Sequence, residues 1–365
     1  MTHPAPGAMR RLLNPLIAPD VFDFWASKVN STWSWERPLA RIVARRPEAH
    51  GAVTLVLQPN RHFAGFVPGQ HINVTAEIDG VRVTRSYSPT NIPAADRRVE
   101  LTVKQIDGGR MSTHLIGHTQ VGDVLELGPA FGEMTWPEAA DGRWLLLAAG
   151  SGITPMMSLV RAWAAACMPG ELTLVYTART QAELCFAAEL RELAAREPRF
   201  HLHLLLTRES DAFAGAPYTE RGGRLDADWL QQRVPELAAH TVYACGPAGF
   251  VDSARQIAGN RAARFHAEAF TPPALVDDVA GTVRVELRAS GRTLELPAGQ
   301  SLLAALEAQG VHPAHGCRMG ICNTCACGKL SGTTQDLNTG DRDAEPNSAL
   351  RICVNRACSD LTLDL

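Results

Sequence analysis

The chain predicts a multidomain protein: a small antiparallel β-barrel, then a doubly wound α/β domain, then a compact C-terminal α+β domain. Three observations carry this. Short β segments separated by Gly and Pro turns fill residues 39 to about 135. Strands alternate with helices from 143 to 270. The C-terminal stretch reads as strand, turn and short helix, followed by four cysteines in a fixed order. At 365 residues the chain is too long for one ordinary domain.

The elements follow in order. Residues 1–37 form an N-terminal extension beyond what a barrel needs. Its apolar residues are Leu12, Leu13, Leu16, Ile17, Val21, Phe22, Phe24, Trp25, Trp33 and Trp35. Pro15 and Pro19 break any long early helix, and Asp20 to Val29 suits a short one. The extension is expected to cap the barrel. Docking to a membrane or a partner is the other reading, which interfacial Trp and Phe would suit. The barrel segments are Ala52–Leu57, His71–Ala76 and Val99–Lys104. The next domain has strands at Trp144–Ala149, Glu171–Tyr176, His201–Leu206 and Thr241–Cys245. Helices are expected over Met156–Cys167 and Gln181–Arg196, and from the last strand through Ala258. The third domain opens with a strand at Thr282–Arg288, a Ser290-Gly291 turn and a capped helix from Ser301 to Gly310. Turn-rich or proline-rich stretches at Trp33–Pro38, Trp136–Gly142 and Phe270–Asp278 set the expected boundaries: 38–137, 138–272 and 280–365.

Net charge is −3, so nothing points to nucleic acid. No apolar run approaches the ~20 residues that span a bilayer. The start, Met-Thr-His-Pro-Ala-Pro, lacks the pattern of a secretory signal, and a cytoplasmic monomer is expected. Nine cysteines in such a chain favour metal ligation or free thiols over disulfides. Cys167, Cys185, Cys327 and Cys358 read as buried or spare thiols, with a substitute-ligand role open for Cys327.

Of the remaining five, Cys245 lies in the α/β domain, and Cys317, Cys322, Cys325 and Cys353 read Cys-x4-Cys-x2-Cys and a distant fourth. This is the plant-type spacing for a [2Fe–2S] cluster. A structural zinc site is the alternative, but zinc sites usually pair two short Cys-x2-Cys hooks. The segment from about Gly281 to Leu365 resembles plant-type ferredoxin, a β-grasp α+β fold.

Arg85-Ser86-Tyr87-Ser88 closes a barrel strand. Barrel, α/β domain and plant-type ferredoxin, in that order, resemble the ferredoxin–NADP reductase superfamily with a fused cluster domain. The resemblance covers residues 39 to 365 and implies FAD in the barrel and a nicotinamide dinucleotide in the α/β domain. It implies that Arg85 forks onto flavin phosphate oxygens, Tyr87 lies against the ring or ribityl chain, and Ser88 reaches the N5 edge. Gly108-Gly109-Arg110-Met111-Ser112 opens a helix, whose free N–H groups suit an anion. By resemblance Gly109, Met111 and Ser112 hold the FAD pyrophosphate. Plain helix capping is the simpler reading. FMN-type relatives lack this pattern.

Gly150-Ser151-Gly152-Ile153-Thr154 looks like the family's dinucleotide loop. Cys245-Gly246-Pro247 looks like the motif beside the nicotinamide, and Glu268-Ala269-Phe270 like the closing Glu-x-Phe at the flavin face. Arg179 and Arg208 follow two strands of the α/β domain, and no Asp or Glu directly follows the second strand to grip a ribose 2′-hydroxyl. The family's NADPH members place Ser-Arg or Thr-Arg at the later position with a Tyr downstream, so the resemblance implies NADPH over NADH, with Thr207-Arg208 and Tyr218 as the matching residues. Solvated surface arginines are the alternative.

The implied circuit runs from NAD(P)H through FAD and the cluster to a terminal oxygenase or fatty-acyl desaturase. The extension looks like that of reductases serving membrane desaturases, so contact with the membrane's inner face is a further expectation. The reductase of a soluble multicomponent oxygenase or an alkane hydroxylase is the alternative. A redox-sensing regulatory subunit would instead show negligible turnover with NAD(P)H.

Overall fold

The computed structural model describes residues 18–137, 142–167, 170–209, 218, 223–270 and 281–365. Leu12, Leu13, Pro15, Leu16 and Ile17, much of the expected bridge after Trp136 and the expected proline-rich linker lie outside these residues. Among the described residues, no helix is long and apolar enough to cross a membrane.

The first helix, α1 (Pro19–Val29), starts at Pro19, where the ring fits the first turn. Its inner face packs down. Phe22 meets Trp35 edge-on at 5.1 Å, Ala26 is buried, and Asp23 Oδ1 accepts from the Trp35 N–H. Asn30 Oδ1 accepts from Arg41 of the first strand at 2.8 Å. Its outer face leaves Val21, Phe24, Trp25 and Val29 exposed.

Six antiparallel strands follow: β1 (Leu39–Ala49), β2 (Ala52–Pro59), β3 (His71–Ile78), β4 (Val81–Tyr87), β5 (Val99–Lys104) and β6 (Val124–Phe131). Their order is β4-β3-β6-β1-β2-β5. A bridge between Pro89 and Leu101, with Thr90 N–H donating to Glu100 O, joins the two ends into a barrel. Alternate residues such as Ile72, Val74 and Ala76 fill it. Helix α2 (Arg110–Gly117) plugs one end with Met111 and Leu115.

Among the described residues the α/β unit has five parallel strands: β7 (Arg143–Ala149), β8 (Glu171–Ala178), β9 (Phe200–Leu206), β10 (His240–Gly246) and β11 (Arg264–Ala269). Their order is β11-β10-β7-β8-β9, so chain order reverses between β7 and β10. Helices α3 (Ile153–Ala165), α4 (Ala187–Arg196), α5 (Ala227–Arg233) and α6 (Ala248–Ala258) cover the sheet, over two separate apolar cores. Two expected helices shift. The first begins three residues early, because Pro155 is tolerated in a first turn. The expected Gln181–Arg196 helix breaks into a short 3-10 turn and α4. Phe186 is left-handed (φ 58°), and its N–H is taken by Glu48 of the barrel at 2.8 Å.

The last unit holds β12 (Thr282–Leu287), β13 (Arg292–Pro297), α7 (Leu302–Ala308), β14 (Ala326–Ser331), β15 (Thr334–Asp336), β16 (Arg342–Asp343), β17 (Asn347–Arg351), β18 (Asn355–Ala357) and β19 (Leu361–Asp364). The main sheet runs β13-β12-β19-β14-β17, and α7 packs on it. Ser301 caps α7 by accepting from Ala304 N–H, as its sequence implies.

Candidate active site

The carboxyl ends of β7 and β10 flank the point of strand reversal, where open α/β sheets bind ligands. Two loops meet there backbone to backbone. A Cβ on Gly152 would lie 2.0 Å from the Cys245 carbonyl oxygen, and one on Gly246 would lie 3.0 Å from the Ala149 Cβ. Only glycine lets these loops close. Thr154 is buried and donates to Ser151 O at 3.0 Å, which shapes the turn from Gly150. Pro247 caps α6. Cys245 is fully buried, and burial, then Glu268, raise its thiol well above the usual range. It is a neutral thiol, paired in register with Glu268 of β11.

The barrel brings its own residues to the same place. Ser88, just past β4, is buried and its Oγ lies 2.6 Å from Nδ1 of His71. The other ring nitrogen of His71 contacts the Glu268 carboxylate. Phe270 meets the His71 ring edge-on at 5.5 Å, and Phe131 packs on it at 5.7 Å. Ser88, Glu268 and Phe270 were each legible in the sequence. His71, which joins them, was not. It carries no motif, and its partner stands 197 residues away. The one signal is that it follows Pro68-Gly69-Gln70 at the start of a strand. Gly69 there donates its N–H to Ser158 of α3 at 2.8 Å, so this turn already touches the second domain.

Tyr87 packs against the barrel core, and burial raises its phenol above the usual range. Arg85 is not drawn to these groups. It donates to Thr84 O at 2.7 Å and lies in the field of Arg318 and Glu307. At the head of α2, the Ser112 hydroxyl is spent locally: it accepts from Ile106 N–H and donates to Gly109 O. Met111 is buried. What this segment offers an anion is the backbone N–H groups of its first turn, which no helix satisfies internally. A Cβ on Gly109 would lie 2.6 Å from Ser112 Oγ. Glycine loops, free N–H groups and a nearby arginine fit a flavin dinucleotide.

The cysteine loop follows α7. Cys317 N–H donates to Cys322 Sγ at 3.2 Å, and the N–H groups of Met319 and Cys322 donate to Cys317 Sγ at 3.3 and 3.4 Å. The thiols pair two and two. Cys317 draws Cys322 down to about 4, and Cys353 draws Cys325 down to about 7. Among the described residues, no three metal-binding side chains converge on one point. That division into pairs suits two irons with two thiolates each. Arg318 grips Glu307 of α7 through two bonds of 2.6 and 2.8 Å and holds the loop on its helix. Cys327 points into the core, paired with Leu350, and burial raises its thiol to about 12. Cys185 is buried and Cys358 half-buried, whereas Cys167 is exposed.

Arg179 and Arg208 are exposed at the ends of β8 and β9, and Arg208 N–H donates to Arg179 O at 2.9 Å. Tyr218 O accepts from Leu204 N–H of β9 at 2.9 Å.

Family models match each unit. The oxidoreductase FAD-binding domain covers residues 48–136, the oxidoreductase NAD-binding domain 146–256, and the 2Fe-2S iron-sulfur cluster binding domain 285–358. The chain is 34% identical over 369 residues to an NADPH oxidoreductase of Mycobacterium tuberculosis, spanning 100% of this chain and 93% of the relative. It is 29% identical to the glycine betaine monooxygenase reductase subunit of Chromohalobacter salexigens, over 94% of this chain and 99% of that one. The solved structure of phthalate dioxygenase reductase, described as a modular structure for electron transfer from pyridine nucleotides to [2Fe–2S], superposes with a TM-score of 0.61 at 26% identity. It covers 90% of this chain and 97% of that one. A barrel that suits FAD, an α/β sheet with its dinucleotide loops and a paired-thiolate loop thus stand in one chain, which belongs to the ferredoxin–NADP reductase superfamily of oxidoreductases with a C-terminal [2Fe–2S] domain.

Proposed function

We propose that this reductase passes electrons from NADPH through FAD and its cluster to a separate terminal oxygenase. Bound FAD supplies the step from a two-electron hydride donor to a one-electron carrier. Ser88, Cys245, Glu268 and Phe270 line the hydride-transfer side. Arg85, Tyr87 and the Gly109–Ser112 turn hold FAD, while Gly150, Gly152, Thr154, Gly246 and Pro247 admit the nicotinamide. Arg179 and Arg208 meet the 2′-phosphate. Cys317, Cys322, Cys325 and Cys353 ligate the cluster. The observation that carries the circuit is a contact. The residue before Cys317, Gly316, lies against Asn73 of β3, and Asn73 Oδ1 accepts from Ser86 within the flavin motif at 2.6 Å.

The oxygenase reading is supported by two of the similar proteins, the glycine betaine monooxygenase reductase subunit and phthalate dioxygenase reductase. A second reading, a fatty-acyl desaturase at a membrane's inner face, is favoured by the outer face of α1: Trp25 is 66% exposed and Phe24 55%. Flotation with anionic vesicles separates them. Coupled hydroxylation with an oxygenase component and no vesicle binding supports the first; vesicle binding lost in Trp25→Ser supports the second. NADPH oxidation that reduces neither FAD nor cluster would sink both.

A further inference from the structure

We propose that His71 is a positioning residue for the flavin chemistry: held by Glu268, it fixes which way the Ser88 hydroxyl points. The inference rests on Ser88 meeting the flavin N5 edge, as proposed above. His71 is only 2% exposed, so water does not set its hydrogen bonds. Its Nδ1 lies 2.6 Å from Ser88 Oγ and its Nε2 contacts Glu268 Oε2. Phe131 and Phe270 wall the ring on two sides. Gly132 leaves room for it: a Cβ there would lie 3.2 Å from the His71 ring.

The direction of each bond follows. An ionised Glu268 only accepts, so Nε2 carries a proton. A neutral ring then has a lone pair at Nδ1, and the Ser88 hydroxyl must donate into it. The remaining lone pairs of Ser88 are left to face a ligand as acceptors. If His71 takes a second proton, Nδ1–H donates to Ser88 and frees the hydroxyl proton for a ligand. An oxidised flavin accepts at its N5 edge, and a reduced one carries hydrogen there. What Ser88 offers is therefore matched to one redox state, and the choice is made through His71 by a carboxylate of the other domain.

Two substitutions remove one ring nitrogen each. The amide of His71→Asn reaches the Nδ1 position only, and that of His71→Gln the Nε2 position only. FAD-loaded H71N, H71Q, S88A and the H71Q/S88A double variant are compared with wild type. The readouts are FAD content, KM and kcat for NADPH with ferricyanide, and redox titration of the flavin band. We expect FAD content and KM to hold in both His71 variants. H71Q, which loses Ser88, should lower kcat by about tenfold or more. It should also move the reduced-to-oxidised ratio about tenfold, ~30 mV for a two-electron couple. S88A should add nothing to H71Q, because the two act as one unit. Wild-type kcat and potential in both His71 variants, with S88A altering both, would overturn the proposal and leave the flavin site standing. Loss of FAD from both His71 variants would also overturn it, since a positioning role leaves binding intact. A silent S88A would overturn the placement of Ser88 at the flavin, and this inference with it.

Discussion

His71 and Asn73 stand two residues apart on one face of β3 and touch different domains. His71 meets Glu268 of the α/β unit. Asn73 meets the cluster loop: a Cβ on Gly316 would fall 2.7 Å from Asn73 Nδ2. One strand face thus reaches the side proposed to receive hydride and the side proposed to accept single electrons.

Gly316 has no room for a side chain. A Cβ there would also lie 2.9 Å from Cys322 Sγ and 3.1 Å from Thr324 Oγ1. Gly316→Ala should lower iron per FAD and cut cytochrome c reduction more than ferricyanide reduction. Iron analysis and the two assays check this. Wild-type iron with both activities intact would show that the contact is slack.

Gly152→Ala tests the dinucleotide loop. Its Cβ would sit 2.0 Å from the Cys245 carbonyl oxygen, far inside contact distance, so β7 and β10 must part at their ends. NADPH oxidation should fall by at least about a hundredfold, the usual consequence of displacing reacting groups by an ångström. Iron content should be unchanged, because the atoms that crowd Gly152 belong to Cys245 and Gly246 and not to the cysteine loop. Normal KM and kcat would contradict the proposed placement of the nicotinamide.

Much of this was legible from local patterns. Short β segments between Gly and Pro turns marked the barrel strands, and the expected ligand cysteines fall into two thiol pairs. Gly152 and Gly246 were recognised by motif, and the structure adds that each makes room for the other's loop. What escaped was set by distant chain. His71 lies on the outward face of β3, with the parity of Asn73 and Thr75, and is buried among Ser88 and Phe131 of the barrel and Glu268 and Phe270 at the end of the α/β unit. The break before α4 depends on Glu48, far upstream, capturing the Phe186 N–H. Neither leaves a trace in local periodicity.

Arg208→Ala should raise KM for NADPH about tenfold if one charged hydrogen bond of ~1.4 kcal/mol to the 2′-phosphate is lost. KM for NADH should barely move, and high salt should weaken NADPH binding more than NADH binding. Steady-state kinetics with both coenzymes decide it. A wild type that uses NADH as well as NADPH would return Arg208 to the solvated surface.

Arg85→Ala should lose FAD on gel filtration, since a charge-assisted contact contributes roughly 1.5–3 kcal/mol. Its neighbours Arg318 and Glu307 allow another outcome. Full FAD content with slower cluster reduction would make Arg85 a docking residue for the cluster domain.

The central claim is a linear circuit in which electrons leave through the cluster. Cys322→Ser tests it most directly, with ferricyanide and cytochrome c reduction measured side by side on FAD-loaded protein. The account predicts that the cluster is lost, that ferricyanide reduction by NADPH stays close to wild type, and that cytochrome c reduction collapses. Equal survival of both activities in the cluster-free variant would contradict it.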